Sequence, residues 1–246
     1  MSALSANGLS GQLREAGEDE LAALVAEHAD RLGLAEARAI LHNPFVTTEL
    51  LGRVASSPEL AGLYEVRREL AAHPRTPRAL AVQLVAGLYW RDLAALGIDP
   101  RVHPLVRRSA DRRLHERLPG LAVGEKIALA RRASAFLVSA LRFDPSPRVV
   151  TALLENPRLT EAQLLPLASH ERANPRCLEA LAASTRWATR RGVRAALCRN
   201  PATPVGTALR LLPGLSRNGL AAVAADVRLA VPLRSRAREL TGSHGR

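Results

Sequence analysis

Two histidine–glutamate pairs, His115-Glu116 in HERLP and His170-Glu171 in HERAN, are the side chains that come nearest to a reactive motif in this chain. A helical zinc site needs a second imidazole four residues after the first, one turn along the same face, with the glutamate as base. Pro119 and Asn174 occupy those positions, so both pairs read as solvated helix-end residues. Cys177 and Cys198 are far apart along the chain and form no CxxC, which argues against a disulfide framework, a zinc site or an iron–sulfur cluster. Both are expected as small buried or half-buried side chains. There is no GxGxxG, no phosphate loop ending in Gly-Lys-Ser/Thr and no Gly-x-Ser-x-Gly, and the seven histidines suggest no nucleophile–base pair. The expectation is a chain that is not an enzyme and holds no metal or cofactor.

Arginine is the one residue type whose abundance suggests chemistry. Lys126 is the sole lysine among 35 basic residues. Residues 1–123 hold 15 basic and 15 acidic side chains, whereas residues 124–246 hold 20 and 8, so the whole net charge of +12 falls in the second half. Arg131-Arg132, Arg186, Arg190-Arg191 and Arg199 have few acidic neighbours in sequence and are the candidate contacts for an anion or an acidic partner. Guanidinium suits bidentate carboxylate or phosphate recognition, and a basic face can also track a nucleic-acid backbone. The plain alternative is a solvated surface inflated by a GC-rich genome. Aromatics make up only 3% of the chain, which weakens single-strand recognition by stacking. Tyr89-Trp90 and Trp187 read as packing residues, and any bound nucleic acid is expected to be a duplex held by its backbone.

The elements that must position these arginines are helices. Leu and Ala dominate the apolar 47% and β-branched runs are scarce, so the chain reads as all-α. Helix starts fall at Glu36, Val66, Val106, Val149, Val193 and Leu233, and their separations, most of them similar, lie near the period of a two-helix repeat. Four positions on stand Ile40, Leu70, Ala110, Leu153, Leu197 and Ala237, all apolar, so positions 0 and +4 predict a buried stripe with Glu36 as the exception. Eight positions on come Pro44, Pro74, Pro157 and Pro201, preceded by Asn43, His73, Asn156 and Asn200. Asn tolerates the left-handed conformation that closes a helix, and proline cannot continue the ladder. Thr76-Pro77, Thr203-Pro204 and Thr160 with Gln163 then supply a capping hydroxyl, a first-turn proline or a capping box. Each link is the tight corner of a helical hairpin. The unit at Val106 lacks the corner and runs into a longer helical stretch over 123–142, read as an irregular central unit; a boundary near Pro119-Gly120 is the alternative.

The stretches DPRVHPLVRRSADRRL (99–114), DPSPRVVTALLENP (144–157) and DVRLAVPLRSRARELT (226–241) resemble the Asp-Pro-x-x-Val-Arg-x-x-Ala signature of HEAT-like repeats. The Asn-Pro-x-Thr-Pro link is similar to bacterial variants of these repeats, including the leucine-rich repeat variant, whose four-cysteine cluster segment is missing here. The resemblance runs from about residue 36 onward and implies an armadillo-type α-solenoid. It also implies that Arg107, Arg194 and Arg234, with Arg67, at position +1 of their units, pair with an aspartate such as Asp99 or Asp226 as a ladder between repeats. Some HEAT-like proteins are DNA glycosylases using tryptophans and an acidic residue; Trp90 beside Arg91 and Asp92, and Trp187 beside Arg186, are all that match.

The expected organisation is a flexible segment 1–16, one solenoid over 17–241 and a disordered tail 242–246. The N-terminus lacks a signal pattern and no apolar run spans a bilayer, so a cytoplasmic chain with no membrane partner is expected. The expected function is a non-enzymatic scaffold holding a protein or acidic peptide on a concave face. Duplex nucleic-acid binding through 124–246 is the alternative, and a glycosylase a third.

Overall fold

Proline-marked corners recur so often that no helix here can grow long, and the computed structural model, which describes residues 3–243, bears this out. Nineteen α-helices and no strand occur among the described residues. The chain forms two compact units, Met1–Arg117 and Leu118–Arg246, dividing beside the Pro119-Gly120 pair. The first unit contains α1 (Ala3–Glu15), α2 (Glu18–Glu27), α3 (Leu34–His42), α4 (Thr48–Ser56), α5 (Pro58–Gly62), α6 (Tyr64–Ala72), α7 (Arg78–Val85), α8 (Trp90–Ile98) and α9 (Pro104–Arg117). The second contains α10 (Val123–Ala130), α11 (Ala135–Leu141), α12 (Pro147–Leu154), α13 (Glu161–Ser169), α14 (Pro175–Ala183), α15 (Thr185–Ala188), α16 (Arg191–Arg199), α17 (Val205–Leu211), α18 (Arg217–Ala225) and α19 (Val231–Ser243).

The apolar stripe lies where the periodicity puts it. Val66 with Leu70, Val106 with Ala110, Val149 with Leu153, Val193 with Leu197 and Leu233 with Ala237 are all buried. Glu36, the exception, is buried too, because its carboxylate reaches back one turn to accept the Gly33 N–H at 3.0 Å, satisfying an orphan donor of α3. Three expectations change. Residues 3–15, inside the segment expected to be flexible, form α1, whose Leu13 is fully buried in the core of the first unit. The stretch 123–142 is two helices, because Ser134 caps a new start by accepting the Leu137 N–H. Of the tail expected over 242–246, Gly242 and Ser243 close α19, and the rest lies outside the described residues.

The corners work differently from the expected left-handed closure. No described residue has a positive φ, and Asn43 and Asn200 are extended, at φ/ψ of −72/128° and −90/116°. The asparagine side chain does the closing instead. Asn43 Nδ2 donates to Leu13 O at 2.8 Å and Ala16 O at 2.9 Å, while its Oδ1 accepts from Phe45 N. Asn156 repeats this with Ala130 O, Ala133 O and Arg158 N, and Asn200 with Ala168 O, His170 O and Ala202 N. Each buried amide thus ties its own corner to carbonyls well back along the chain, where a helix ends with acceptors to spare. Thr160 caps as expected and Thr47, which the corner pattern did not single out, does so too, but Thr76 and Thr203 do not. Their helices begin one residue later, with Pro77 and Pro204 as the caps, which leaves both threonine hydroxyls buried without a partner.

The two units share one plan. Residues 51–110 and 178–237 align without a gap at an offset of 127, with 21 of 60 positions identical, and helices α3 to α9 match α13 to α19 one for one. The correspondence extends to single atoms. Arg67 Nε donates to Ala61 O and Arg194 Nε to Ala188 O, both at 3.0 Å. A Cβ on Gly87 or on Gly214 would collide with those same guanidinium groups.

Candidate functional site

Short helices without left-handed caps leave many carbonyls unsatisfied, and arginine answers for a large share of them. Arg194 also holds Gly214 O, Arg117 holds Leu88 O and Ala86 O, Arg75 holds Pro44 O and Val46 O, and Arg142 holds Gln163 O. The repeat-to-repeat ladder drawn from the family resemblance is not what these residues make. Asp99 pairs with Arg101 and Asp226 with Arg228, each within its own corner, because the aspartate also accepts the N–H two residues on and so faces its own turn. The hydrogen bonds from Arg228 pull the Asp226 carboxyl down to about 2. Arg107 and Arg234 keep a buried Nε with no hydrogen-bond partner.

The six candidate arginines fall into groups. Arg131 and Arg186 bond neighbouring residues at the end of α12: Arg131 Nε lies 3.1 Å from a Glu155 carboxylate oxygen, and Arg186 Nη1 donates to Asn156 O at 3.3 Å. Arg186 also stacks on Trp187, 4.5 Å from the ring centroid. Trp187 is buried and donates its indole N–H to Leu154 O, which makes it the packing residue expected. Arg132 is exposed in the link after α10, and Arg190 and Arg191 are exposed where α16 begins. Arg199 is exposed at the other end of α16, roughly 12 Å along the axis from Arg191 at 1.5 Å per residue, so it stands apart. Both partners of Arg131–Glu155 are well exposed, which limits that pair to about 0–1 kcal/mol and leaves Arg131 free to exchange it for another carboxylate.

A second feature of this unit was not legible beforehand. Phe143, 45% exposed, sits between the Arg142 guanidinium, 4.9 Å from its ring centroid, and the His170 ring at 5.5 Å. These residues, with Arg172 and Asn174, line a hollow of about 350 Å³ floored by Leu167 and Cys177. His170 Nδ1 accepts the Arg172 N–H, so the neutral imidazole carries its proton on Nε2 and presents a donor. The only signal in the sequence was an aromatic residue just ahead of the Asp144-Pro145 corner, outside the repeat signature that begins at Asp144. Cys177 beneath the hollow and Cys198 in the core around α16 are both inert: burial raises the Cys177 thiol and pushes Cys198 up to about 12.

The remaining chemistry-bearing residues have structural occupations. Glu171 pairs with Arg228, and Glu116 with Arg113. Asp92 accepts the Tyr64 hydroxyl, whose ring stacks at 4.5 Å on Tyr89, and Arg91 lies over Trp90. Burial and Asp92 together raise the Tyr64 hydroxyl above its ordinary value. Among the described residues, no three His, Cys, Asp or Glu side chains gather in a way that could hold a metal ion, and no helix is long and apolar enough to cross a membrane. No family model, curated protein or solved structure matches this chain.

Proposed function

We propose that the chain is a non-enzymatic binding module, each unit a short α-solenoid of HEAT-like hairpins, and that the second unit holds an acidic segment of a protein partner. Sequential packing inside each unit supports the repeat reading: α6 lies on α7 and α8 on α9, as α16 lies on α17 and α18 on α19. The observation that carries the function is the Phe143 hollow. An exposed phenyl ring flanked by the Arg142 and Arg172 guanidinium groups and the His170 N–H combines apolar area with hydrogen-bond donors, two of them cationic, the complement of a segment in which carboxylates alternate with large apolar side chains. Arg131, Arg132 and Arg186 supply further guanidinium groups on the same unit. No aromatic ring is needed to follow a duplex backbone, so an exposed Phe143 favours the protein partner over nucleic acid.

The test is fluorescence anisotropy of the full chain with two probes, a synthetic peptide of alternating Glu and Leu/Phe residues and a random-sequence duplex. Peptide binding that falls at least tenfold in Phe143→Ser, with modest salt dependence, supports the reading. Duplex binding whose logarithm falls steeply and linearly with the logarithm of salt, untouched by Phe143→Ser, replaces it with the nucleic-acid alternative.

A further inference from the structure

The internal repeat provides a control that most surface pockets lack. In the first unit, a hollow of about 420 Å³ opens between the start of α4, the link from α6 to α7, and the start of α9. Its lining includes Thr48, His73, Arg75, Thr76, Arg78 and His103, with no carboxylate. Their counterparts in the second unit are Pro175, Asn200, Ala202, Thr203, Val205 and Ala230. The scaffold around them is unchanged, since Pro74, Thr76, Pro77 and Ala81 match Pro201, Thr203, Pro204 and Ala208. One fold therefore carries four basic side chains at this place in one copy and none in the other, so the shared fold does not call for a basic ring here, although His73 and Arg75 also serve their own corner.

We propose that this hollow in the first unit binds the phosphate group of a small phosphomonoester. Arg78 is exposed, and Arg75 is held in place by two carbonyls that take only its Nη1, at 3.0 and 2.8 Å. His73 Nδ1 accepts the Arg75 N–H and His103 Nδ1 accepts the Leu105 N–H, both at 3.2 Å, which puts the neutral imidazole protons on the two Nε2 atoms. The Thr76 hydroxyl, on a side chain only 5% exposed, is buried there without a partner; Thr203 shares that condition, so the hydroxyl belongs to the scaffold and the basic ring is what the first copy adds. Helices α4, α7 and α9, of 9, 8 and 14 residues, all begin at this hollow, and each leaves N–H groups at its start. Two guanidinium groups, two imidazole donors and two hydroxyls exceed what the two oxygens of a carboxylate accept, and suit the three terminal oxygens and near-double charge of a phosphomonoester. The volume leaves room for a small organic body beside the phosphate. The site is independent of the docking face proposed for the second unit.

Inorganic phosphate is the probe, titrated into the full chain at constant ionic strength and pH while the imidazole Cε1–H resonances are followed by NMR. Saturable shifts confined to His73 and His103, with affinity falling at least tenfold in Arg78→Glu, are expected; Arg78→Gln, milder at this exposed position, should weaken binding several-fold and serves if the reversal perturbs folding. Absence of a saturable shift at millimolar phosphate overturns the site, as do shifts spread over all seven histidines. Equal shifts from acetate overturn the phosphate assignment.

Discussion

At the scale of single residues, the corner asparagines matter more than the prolines that announce them. Asn200 satisfies two carbonyls of the preceding corner with one buried Nδ2 and its own turn with Oδ1. Replacing it with Ala strands those groups in the core, and at about 1–3 kcal/mol for each unsatisfied polar group the expected loss is about 2–4 kcal/mol, read as a lower urea midpoint. Asn200→Asp keeps the acceptor but points a carboxylate at two carbonyls, so it should destabilise more than Ala at neutral pH and recover part of the loss in acid. His73 stands at the matching position of the first unit and accepts through Nδ1, a contact that protonation destroys. Burial, with Arg75 and His42 nearby, lowers its pKa below the ordinary 6.5. A lowered histidine pKa favours the neutral ring in the folded state, so its stabilisation is full above about 6.5 and is lost as pH falls through the folded value. The stability of His73→Asn relative to wild type should therefore rise as pH drops from about 7 to about 5. A flat difference across that range would remove His73 from the account.

Elements are joined here by arginine–carbonyl contacts that no local rule foretells. Arg194 reaches Ala188 O on one side and Gly214 O on the other, and a Cβ at Gly214 would overlap its Nη1. The first unit repeats the Nε contact and the close glycine with Arg67 and Gly87, but there the second carbonyl is Gly62 O. The side chain can swing away from an added methyl group, but only by releasing its carbonyls, so Gly214→Ala should destabilise by about 1–3 kcal/mol through the two lost hydrogen bonds at about 0.5–1.5 kcal/mol each. In an Arg194→Ala background the same substitution should be nearly neutral, and a double-mutant cycle by urea unfolding should show coupling of at least about 1 kcal/mol. Additive effects would mean the glycine is there for another reason. What the sequence made legible at this scale was local: where helices stop, where Thr160 restarts one, and which face of each is buried. Three things were not legible. The extended conformation at Asn43 escapes a local reading because the partners of its amide, Leu13 and Ala16, belong to a distant part of the chain. The Asp–Arg ladder dissolves because Asp99 and Asp226 are engaged by their own turns. The Phe143 hollow needs His170, from beyond the next helix pair, brought against the ring.

For the molecule as a whole, the repeat of one unit by the other explains the separations between helix starts: Val66 and Val106 recur as Val193 and Leu233 with the same spacing, whereas Glu36 in α3 and Val149 in α12 hold different places within their units. The two copies have diverged most in charge. The first carries 15 basic and 15 acidic residues and the second 20 and 8, so repulsion among like charges burdens the second alone. Carbonyl contacts by Arg142, Arg186 and Arg194 fix guanidinium groups in place without neutralising them, and the few carboxylates at Glu155, Glu171 and Asp226 offset only part of the excess. Raising sodium chloride from roughly 20 mM to roughly 200 mM shortens the screening length from about 20 Å to under about 10 Å, which weakens that repulsion. Amide hydrogen exchange should then slow across 123–241 while changing little, or quickening, across 8–117, where screening weakens attractions as much as repulsions. Chloride is the required anion, since phosphate or sulfate would also act at the basic hollow near Arg78. Equal slowing in both copies would show that the charge excess of the second is harmless to its fold, and that its arginines are tolerated rather than held at a cost for a partner.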